Sequence, residues 1–238
     1  MSFWDHISDL STITYGHFHS KKIDMNDEER LKGVIKGMEE ILGEVGKNEK
    51  EMKAAEEYIQ KRDQDKARLT QIQTNVIAEI KKMFNEICSF DVLPASSFSA
   101  GIYLLGESDL DISVPVMGLN KRILIKMSNI CRNNGFKFIK IKRKDEPGEE
   151  HFVFQKFING VEIELKIRYG EYYMNVHHKM HHYLDHDMPD RDKMIITWIK
   201  YNLKKISKDD DVYATFKALY YEYALGKAGV DKLLYQLH

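Results

Sequence analysis

This chain of 238 residues has few cysteines, no long apolar run and no leader-like pattern in its first residues. The only cysteines are Cys88 and Cys131, which fit a reducing compartment better than a disulfide scaffold, so we expect an intracellular, cytoplasmic protein. No run of 18 apolar residues occurs, which argues against a membrane span. The first ten residues, MSFWDHISDL, lack the basic start and apolar core of a signal peptide. With 43% hydrophobic and 31% charged residues, the composition is typical of a folded globular protein.

Acidic residues are missing from one long segment, residues 121–144, which contains nine lysines and arginines. In a chain whose net charge is −1, such a block indicates a surface that faces a polyanion. A solvated helix face followed by a lysine-protected edge strand explains the same pattern equally well. The residues of this block that we predict to contact nucleic acid are Lys137, Lys140, Lys142, Arg143 and Lys144.

The order of periodic patterns along the chain predicts an α+β fold in three regions. Apolar residues recur at helical spacing through residues 26–88, and alternating patterns typical of strands follow, with Asn159-Gly160 as a hairpin turn. Helical patterns return at Pro189 and again over residues 210–225, where Gly226 is the expected stop, and a short helix is expected over 230–237. The predicted regions are an N-terminal helical region (1–90), a catalytic core with a small mixed sheet (91–170) and a C-terminal helical region (171–238).

Two carboxylates are predicted to share one face of a strand. Asp109 and Asp111 alternate with the apolar Leu110 and Ile112, so both acids should point away from the core. Neighbouring carboxylates repel each other unless a cation lies between them, and Mg²⁺ prefers oxygen ligands of this kind. A pair of solvent-facing acids on an edge strand is the alternative interpretation, and for an isolated D-x-D pattern it is the more common one.

A second strand supplies further carboxylates. Over residues 161–168 the apolar positions alternate with Glu162, Glu164, Lys166 and Arg168. If this strand lies beside the one that carries Asp111, a third carboxylate reaches the same site, and three carboxylates are enough to bind two metal ions. A cross-strand charge ladder with the two basic residues is the alternative.

These residues resemble the signature of the DNA polymerase β-like nucleotidyltransferase superfamily. Residues 96–101 read SSFSAG and residues 108–112 read SDLDI, similar to the family's Gly-Ser turn followed by Ser-Asp-x-Asp on a strand. The 53 residues from Asp111 to Glu164 are similar to the spacing in the poly(A) and terminal uridylyl polymerase branch. Residues 194–201, MIITWIKY, resemble that branch's helix whose lysine contacts the triphosphate, and Lys200 takes that position. A surface lysine on an amphipathic helix is the alternative for Lys200.

The resemblance implies a metal-dependent enzyme with the site in a cleft between the sheet and the C-terminal helices. Its Mg²⁺ or Mn²⁺ ions, two in number, would be held by Asp109, Asp111 and Glu164, with Glu162 as the alternative third ligand. Ser97, Ser108 and Lys200 would bind the nucleoside triphosphate, ATP or UTP. The implied reaction adds nucleoside monophosphates to an RNA 3′ hydroxyl. A cyclic-dinucleotide or oligoadenylate synthase and a catalytically silent nucleic-acid-binding scaffold remain as alternatives, and the oligomeric state is left open.

The chain departs from this pattern at one turn position, and a histidine cluster lies outside the pattern. Ser96 stands where the family has glycine, at a position where backbone amides approach phosphates closely. Five histidines cluster over residues 177–186, and two pairs of them have the i,i+4 spacing of metal ligands on a helix. A polar helix surface is the more common meaning of such a cluster, with a zinc site as the alternative.

Overall fold

A computed structural model describes residues 27–85, 92–106, 109–116, 121–143, 150–169, 178–206 and 210–229. The described residues divide into two compact units: a helical unit from residues 27–62 and 179–229, and a sheet unit from those between 63 and 178. The helix Lys66–Phe84 therefore belongs with the sheet, whereas the sequence grouped it with the N-terminal helices. The short C-terminal helix predicted over 230–237 lies outside the described residues.

The elements are numbered here in chain order. The helices are α1 (Asp27–Lys47), α2 (Glu49–Arg62), α3 (Lys66–Phe84), α4 (Lys121–Asn133), α5 (His178–His182), α6 (Asp190–Ile206) and α7 (Asp210–Lys227). A 3₁₀ turn (Asp63–Asp65) precedes α3, and a π-helical turn (Tyr183–Asp187) follows α5. The strands are β1 (Leu93–Pro94), β2 (Leu110–Val116), β3 (Lys137–Arg143), β4 (Glu150–Ile158) and β5 (Val161–Tyr169).

The sheet unit is built on one mixed five-stranded sheet in the order β1-β2-β5-β4-β3. β2 and β5 run parallel, and the other neighbours pair antiparallel. Apolar side chains of α3 and α4 pack with those of the sheet in one core cluster. The predicted α+β class with a small mixed sheet is confirmed.

The alternation predicted from the sequence sets the two faces of the central strands. Leu110 and Ile112 of β2 are completely buried, as are Ile163 and Leu165 of β5. Because successive side chains point to opposite faces, the charged residues between them lie on the face away from this core. Burial of this apolar face stabilises the unit and fixes the register, since a slip by one residue would expose it.

Turns with a positive φ angle end the elements where the sequence predicted them. Asn159 (φ 52°) and Gly160 (φ 78°) form the hairpin turn between β4 and β5, the left-handed pair that a two-residue hairpin requires. Gly135 (φ 80°) follows α4, and the Phe136 N–H donates to the carbonyl of Cys131 at 2.9 Å, closing the helix end.

The helical unit packs around aromatic residues. Tyr58 of α2 contacts Tyr201 of α6, with ring centroids 4.2 Å apart, and the Trp198 indole N–H donates to Glu51 at 2.7 Å. Of the helices that the structure describes, none is long and apolar enough to cross a membrane.

The end of α7 corrects one prediction, because Gly226 does not stop the helix. The helix continues to Lys227, and Gly229 (φ 62°) follows it. A Cβ built on Gly226 would lie 2.6 Å from Cδ1 of Ile35 in α1. The glycine therefore lies at a close contact between two helices, where an added side chain would force Ile35 to move, and not at a turn.

Candidate functional site

The parallel pairing of β2 with β5 brings the predicted carboxylates together. The register aligns Asp111 with Glu164 and Ser113 with Lys166. All four lie on the sheet face opposite the apolar core. The sequence predicted this juxtaposition only if the two strands were neighbours, and they are.

Lys166 lies between the two paired carboxylates. Its Nζ is 2.8 Å from Oδ2 of Asp111 and 3.0 Å from Oε2 of Glu164. The three side chains are only 11–25% exposed, so their charges interact with little screening by water. Burial raises the pKa of Asp111, although the charge of Lys166 acts in the opposite direction. Burial lowers the pKa of Lys166, but the two carboxylates outweigh this effect, so that its pKa is raised.

Asp109 and Glu162 lie one step further along the same face. Asp109 immediately precedes β2 and is exposed, and its charge contributes to the raised pKa of Asp111. Extending the register back by one residue places Asp109 opposite Glu162. Glu162 accepts a hydrogen bond from the side-chain amide of Gln155 on β4. Glu164 is therefore the carboxylate aligned with Asp111, and Glu162 is held towards the neighbouring strand.

A tight turn over residues 96–101 begins beside Asp111. The Ala95 N–H donates to the carbonyl of Asp111 at 2.9 Å, which ties the start of the turn to β2. The Ile102 N–H donates to the carbonyl of Ser97 at 2.9 Å, and Gly101 adopts a φ of 73° that permits the reversal. Ser97 is half-buried and follows Ala95, the residue that is hydrogen-bonded to β2, by two positions in the chain. Ser108 lies outside the described residues.

Ser96 has a structural role in this turn. It is 3% exposed, and its Oγ accepts a hydrogen bond from the Ser99 N–H at 3.3 Å. Ser99 returns a hydrogen bond from its own hydroxyl to the carbonyl of Ser96 at 2.8 Å. A serine at this position caps the first turn in the way an N-cap residue caps a helix. A serine at position 96 is therefore compatible with an ordered turn.

The donor set on this face fits a hard divalent cation. Asp111 Oδ1 is buried without a hydrogen-bond partner, and Glu164 and Asp109 offer further carboxylate oxygens, the ligands that Mg²⁺ prefers. Among the described residues, however, no three acidic, histidine or cysteine side chains lie close enough to one another to hold a metal ion. The contacts of Lys166 instead resemble the cross-strand charge ladder, because its ammonium group lies against both Asp111 and Glu164.

Lys200 lies in the helical unit, on α6. It is 1% exposed, and its Nζ is 5.7 Å from the centroid of the Tyr220 ring. The partners of this buried lysine therefore include an aromatic face, a favourable environment for a cation. Its role in binding the triphosphate stays a prediction.

The basic block extends over α4 and the edge strand β3. Lys137 is exposed at the start of β3, and the register pairs Lys140 with Val153 and Lys142 with His151 of β4. Arg143 ends the strand, and Lys144 lies outside the described residues. Contact of this block with nucleic acid stays a prediction.

The histidine cluster continues into the π-helical turn. His182 Nδ1 lies 3.3 Å from Asp187 Oδ2, and the rings of His182 and His186 are 4.9 Å apart. His177 lies outside the described residues. The parts of this segment that the structure describes contain no group of three metal-ligating side chains, so they do not favour the zinc alternative.

Comparison with known proteins gives fold-level similarity only. No family model matches the chain, and no curated protein matches it. Among solved structures, it is similar to the Cid1 poly(U) polymerase with MgGTP bound, at 13% identity and a TM-score of 0.48 over 66% of this chain and 48% of the other. A mutant of the same polymerase bound to MgATP gives 13% identity and a TM-score of 0.49 over 67% and 50%. The chain thus spans about half the length of these structures.

Proposed function

We propose that the chain is a metal-dependent nucleotidyltransferase that adds nucleoside monophosphates from ATP or UTP to the 3′ hydroxyl of RNA and releases pyrophosphate. The observation that carries the proposal is the register of Asp111 with Glu164 on parallel strands, beside the turn that contains Ser97. Further support comes from the resemblance of residues 96–101 and 108–112 to the signature of the superfamily.

In this proposal the acids hold the cations and the turn holds the nucleotide. Asp109 and Asp111 would bind the cation that accompanies the triphosphate, and Glu164 would complete a second cation site. Bound Mg²⁺ or Mn²⁺ would neutralise phosphate charge and lower the pKa of the attacking hydroxyl. The Ser97 hydroxyl would donate to a phosphate oxygen, and Ser108 and Lys200 would bind the same triphosphate.

The transfer is an in-line displacement at the α-phosphorus. The 3′ oxygen of the acceptor forms a new bond to the α-phosphorus, and the bond to the oxygen that bridges to the β-phosphate breaks. Glu164 helps to activate the hydroxyl by accepting its proton, and pyrophosphate leaves with the electron pair of the broken bond. The contribution of the chain is mainly positioning and neutralisation of charge.

Lys166 takes part in this scheme as a resident positive charge. In the absence of a divalent cation its ammonium group offsets the repulsion between Asp111 and Glu164. When cations bind these carboxylates, we expect the ammonium group to leave at least one of them. The flexible four-carbon side chain of lysine permits such a movement without a change in the backbone.

One observation favours a second candidate, a catalytically silent nucleic-acid-binding scaffold. The single positive charge of Lys166 offsets part of the charge of the two carboxylates and leaves less net negative charge to attract a metal. The scaffold would retain the basic block and bind RNA without transferring nucleotides.

Incubation with each labelled nucleoside triphosphate, Mg²⁺ or Mn²⁺, and a short RNA distinguishes these candidates. Incorporation that extends the RNA and disappears with EDTA supports the proposed enzyme. A small product made without RNA indicates the cyclic-dinucleotide or oligoadenylate alternative. RNA binding without incorporation of any of the four nucleotides supports the scaffold.

A further inference from the structure

A cavity of about 320 Å³ lies between α4 and the sheet of the same unit. Ile125, Ser128 and Arg132 line it from α4, and Phe138, Phe152 and Phe154 line it from β3 and β4. In the register of β4 with β5, Phe154 pairs with the buried core residue Leu165, so the cavity is on the core side of the sheet, opposite the carboxylates. It is therefore a different site from the one described above.

The wall on the sheet side is aromatic. The rings of Phe138 and Phe154 meet edge to face, with centroids 5.5 Å apart and an interplanar angle of 68°. Phe138 and Phe152 are only partly buried, so ring surface remains accessible from the cavity. On the helix side, Ile125 is 52% exposed and adds an apolar side chain to the wall. A planar apolar group fits these walls better than a charged or strongly hydrated one.

The rim on the helix side is cationic. Arg132 is exposed and lines the cavity, and Arg122 and Lys126 are exposed on the same helix, six and two residues before Ser128. Arg122, Ile125 and Arg132 follow at helical spacing of three and seven residues, so they share one stripe of α4. No acidic residue occurs between residues 121 and 144 to neutralise this stripe. The expected ligand therefore contains both a planar apolar group and a negatively charged group.

We infer that this cavity binds one unpaired nucleotide of a single-stranded RNA, with the base against the phenylalanine rings and a phosphate on Arg132. Unpaired bases are recognised by stacking on aromatic side chains, while lysine and arginine follow the phosphate backbone. Guanidinium groups bind phosphate through two parallel hydrogen bonds, which a lysine at the rim would not provide. This inference rests on the proposed function only in taking RNA as the substrate, and it assigns that substrate a contact away from the carboxylates.

Fluorescence anisotropy with the full chain in EDTA tests the inference without requiring activity. The probes are a labelled ten-residue oligoadenylate that carries one 2-aminopurine, a ribose-phosphate chain of the same length without bases, and AMP as competitor. The variants are Phe138→Leu, which keeps an apolar side chain but removes the ring, and the surface change Arg132→Gln. Lys82→Gln, an exposed residue of α3 in the same unit, is the matched control.

Each cavity variant should weaken oligoadenylate binding by about tenfold, as expected for the loss of one stacked base or its phosphate contact. Phe138→Leu should leave binding of the baseless chain unchanged and should relieve the quenching of 2-aminopurine, whereas Arg132→Gln should weaken the binding of both chains.

Oligoadenylate affinity within twofold of the parent in both variants would overturn the inference. Loss of AMP binding with unchanged oligoadenylate binding would overturn RNA as the occupant. Because no transfer is measured, an inactive Asp111 variant with normal RNA binding affects neither outcome.

Discussion

Lys166 Nζ lies 2.8 Å from Oδ2 of Asp111, which lies on the neighbouring parallel strand. Glu164 completes the arrangement at 3.0 Å from the same nitrogen. The site therefore contains its own counter-ion. This relationship decides how the carboxylates behave without metal, and it separates an enzyme that exchanges the ammonium for a cation from a scaffold that does not.

Lys166→Met tests that exchange. Without metal, the variant should be destabilised by about 2 kcal/mol, less than the 3–5 kcal/mol for breaking a fully buried pair, because Asp111 and Glu164 are partly exposed. Added Mn²⁺ should raise the melting temperature of the variant more than that of the parent, since the carboxylates are then uncompensated. Thermal unfolding in EDTA and in Mn²⁺ measures both effects.

The matched control for this change is Lys156→Met. Lys156 lies 2.8 Å from Glu79 in a partly exposed pair of the same unit. Its loss should produce no additional stabilisation by Mn²⁺. An equal response to Mn²⁺ in the parent and in Lys166→Met would mean that cations do not compete with this lysine.

Glu164 and Glu162 should differ in their effect on transfer. Glu164→Gln keeps the size of the side chain and removes the charge aligned with Asp111, so kcat should fall by about 100-fold or more. Glu162→Gln should retain activity within about threefold, because Glu162 is bonded to Gln155 on the far side of β5. Steady-state incorporation of labelled nucleotide compares them, and the reverse order of effects would transfer the third-ligand assignment to Glu162.

Replacement of Lys140, Lys142 and Lys144 with glutamine tests the basic block. If these lysines neutralise phosphates, log affinity for RNA should depend less steeply on log salt, by about 2 for three contacts on a single strand. Affinity for the free triphosphate should change little, because other residues are assigned to bind it. The matched control is the triple replacement of the exposed Lys50, Lys53 and Lys61 of α2, and an unchanged slope in filter binding would remove the block from the RNA surface.

Asp185, in the π-helical turn, should make stability depend on pH. Burial raises its pKa to about 6 from the usual 3.8, against the opposing charges of His186, Lys193 and His182, and its Oδ1 is buried without a hydrogen-bond partner. A carboxyl whose pKa is raised by folding is favourable when protonated, so its contribution is present below pH 3.8 and is lost as the pH rises through 6.

Asp185→Asn mimics the protonated form and should therefore be more stable than the parent above pH 6. The difference should stay below about 3 kcal/mol, the limit from 1.36 kcal/mol per pKa unit, because water screens this partly exposed group, and it should vanish near pH 4. Urea unfolding at pH 4, 6 and 8 measures it, with the exposed Glu56→Gln as control. A difference that does not change with pH would contradict the assignment.

Local features of the fold were predictable because they depend on neighbours in sequence. The alternation around Leu110 and Ile163 predicted which faces are buried, and Asn159-Gly160 predicted the hairpin because few other residues adopt two successive positive φ angles. The position of Gly226 was misread because its close contact is with Ile35, 191 residues away. A glycine at a close helix contact and a glycine at a turn look the same in sequence.

The candidate site was predictable in its residues but not in its contacts. The acids of β2 and β5 were identified from period-two alternation, yet only the strand order shows that Asp111 adjoins Glu164. Lys166 was visible as a charged neighbour on the same face, and its position between two carboxylates depends on that pairing. The aromatic cavity combines residues from one helix and three strands, so no local pattern predicts it.

The most direct test of the central claim is the incorporation of labelled nucleotide into a short RNA by the parent, Asp109→Asn and Asp111→Asn in Mg²⁺ or Mn²⁺. Asp65→Asn, which removes an exposed carboxylate of the same unit, is the control, and circular dichroism establishes that each variant is folded. The account predicts incorporation by the parent and the control and a loss of about 1,000-fold or more in both site variants, because these carboxylates would hold the cation that accompanies the triphosphate. Undiminished incorporation by folded Asp111→Asn, or no metal-dependent incorporation by the parent with any nucleotide, would contradict it.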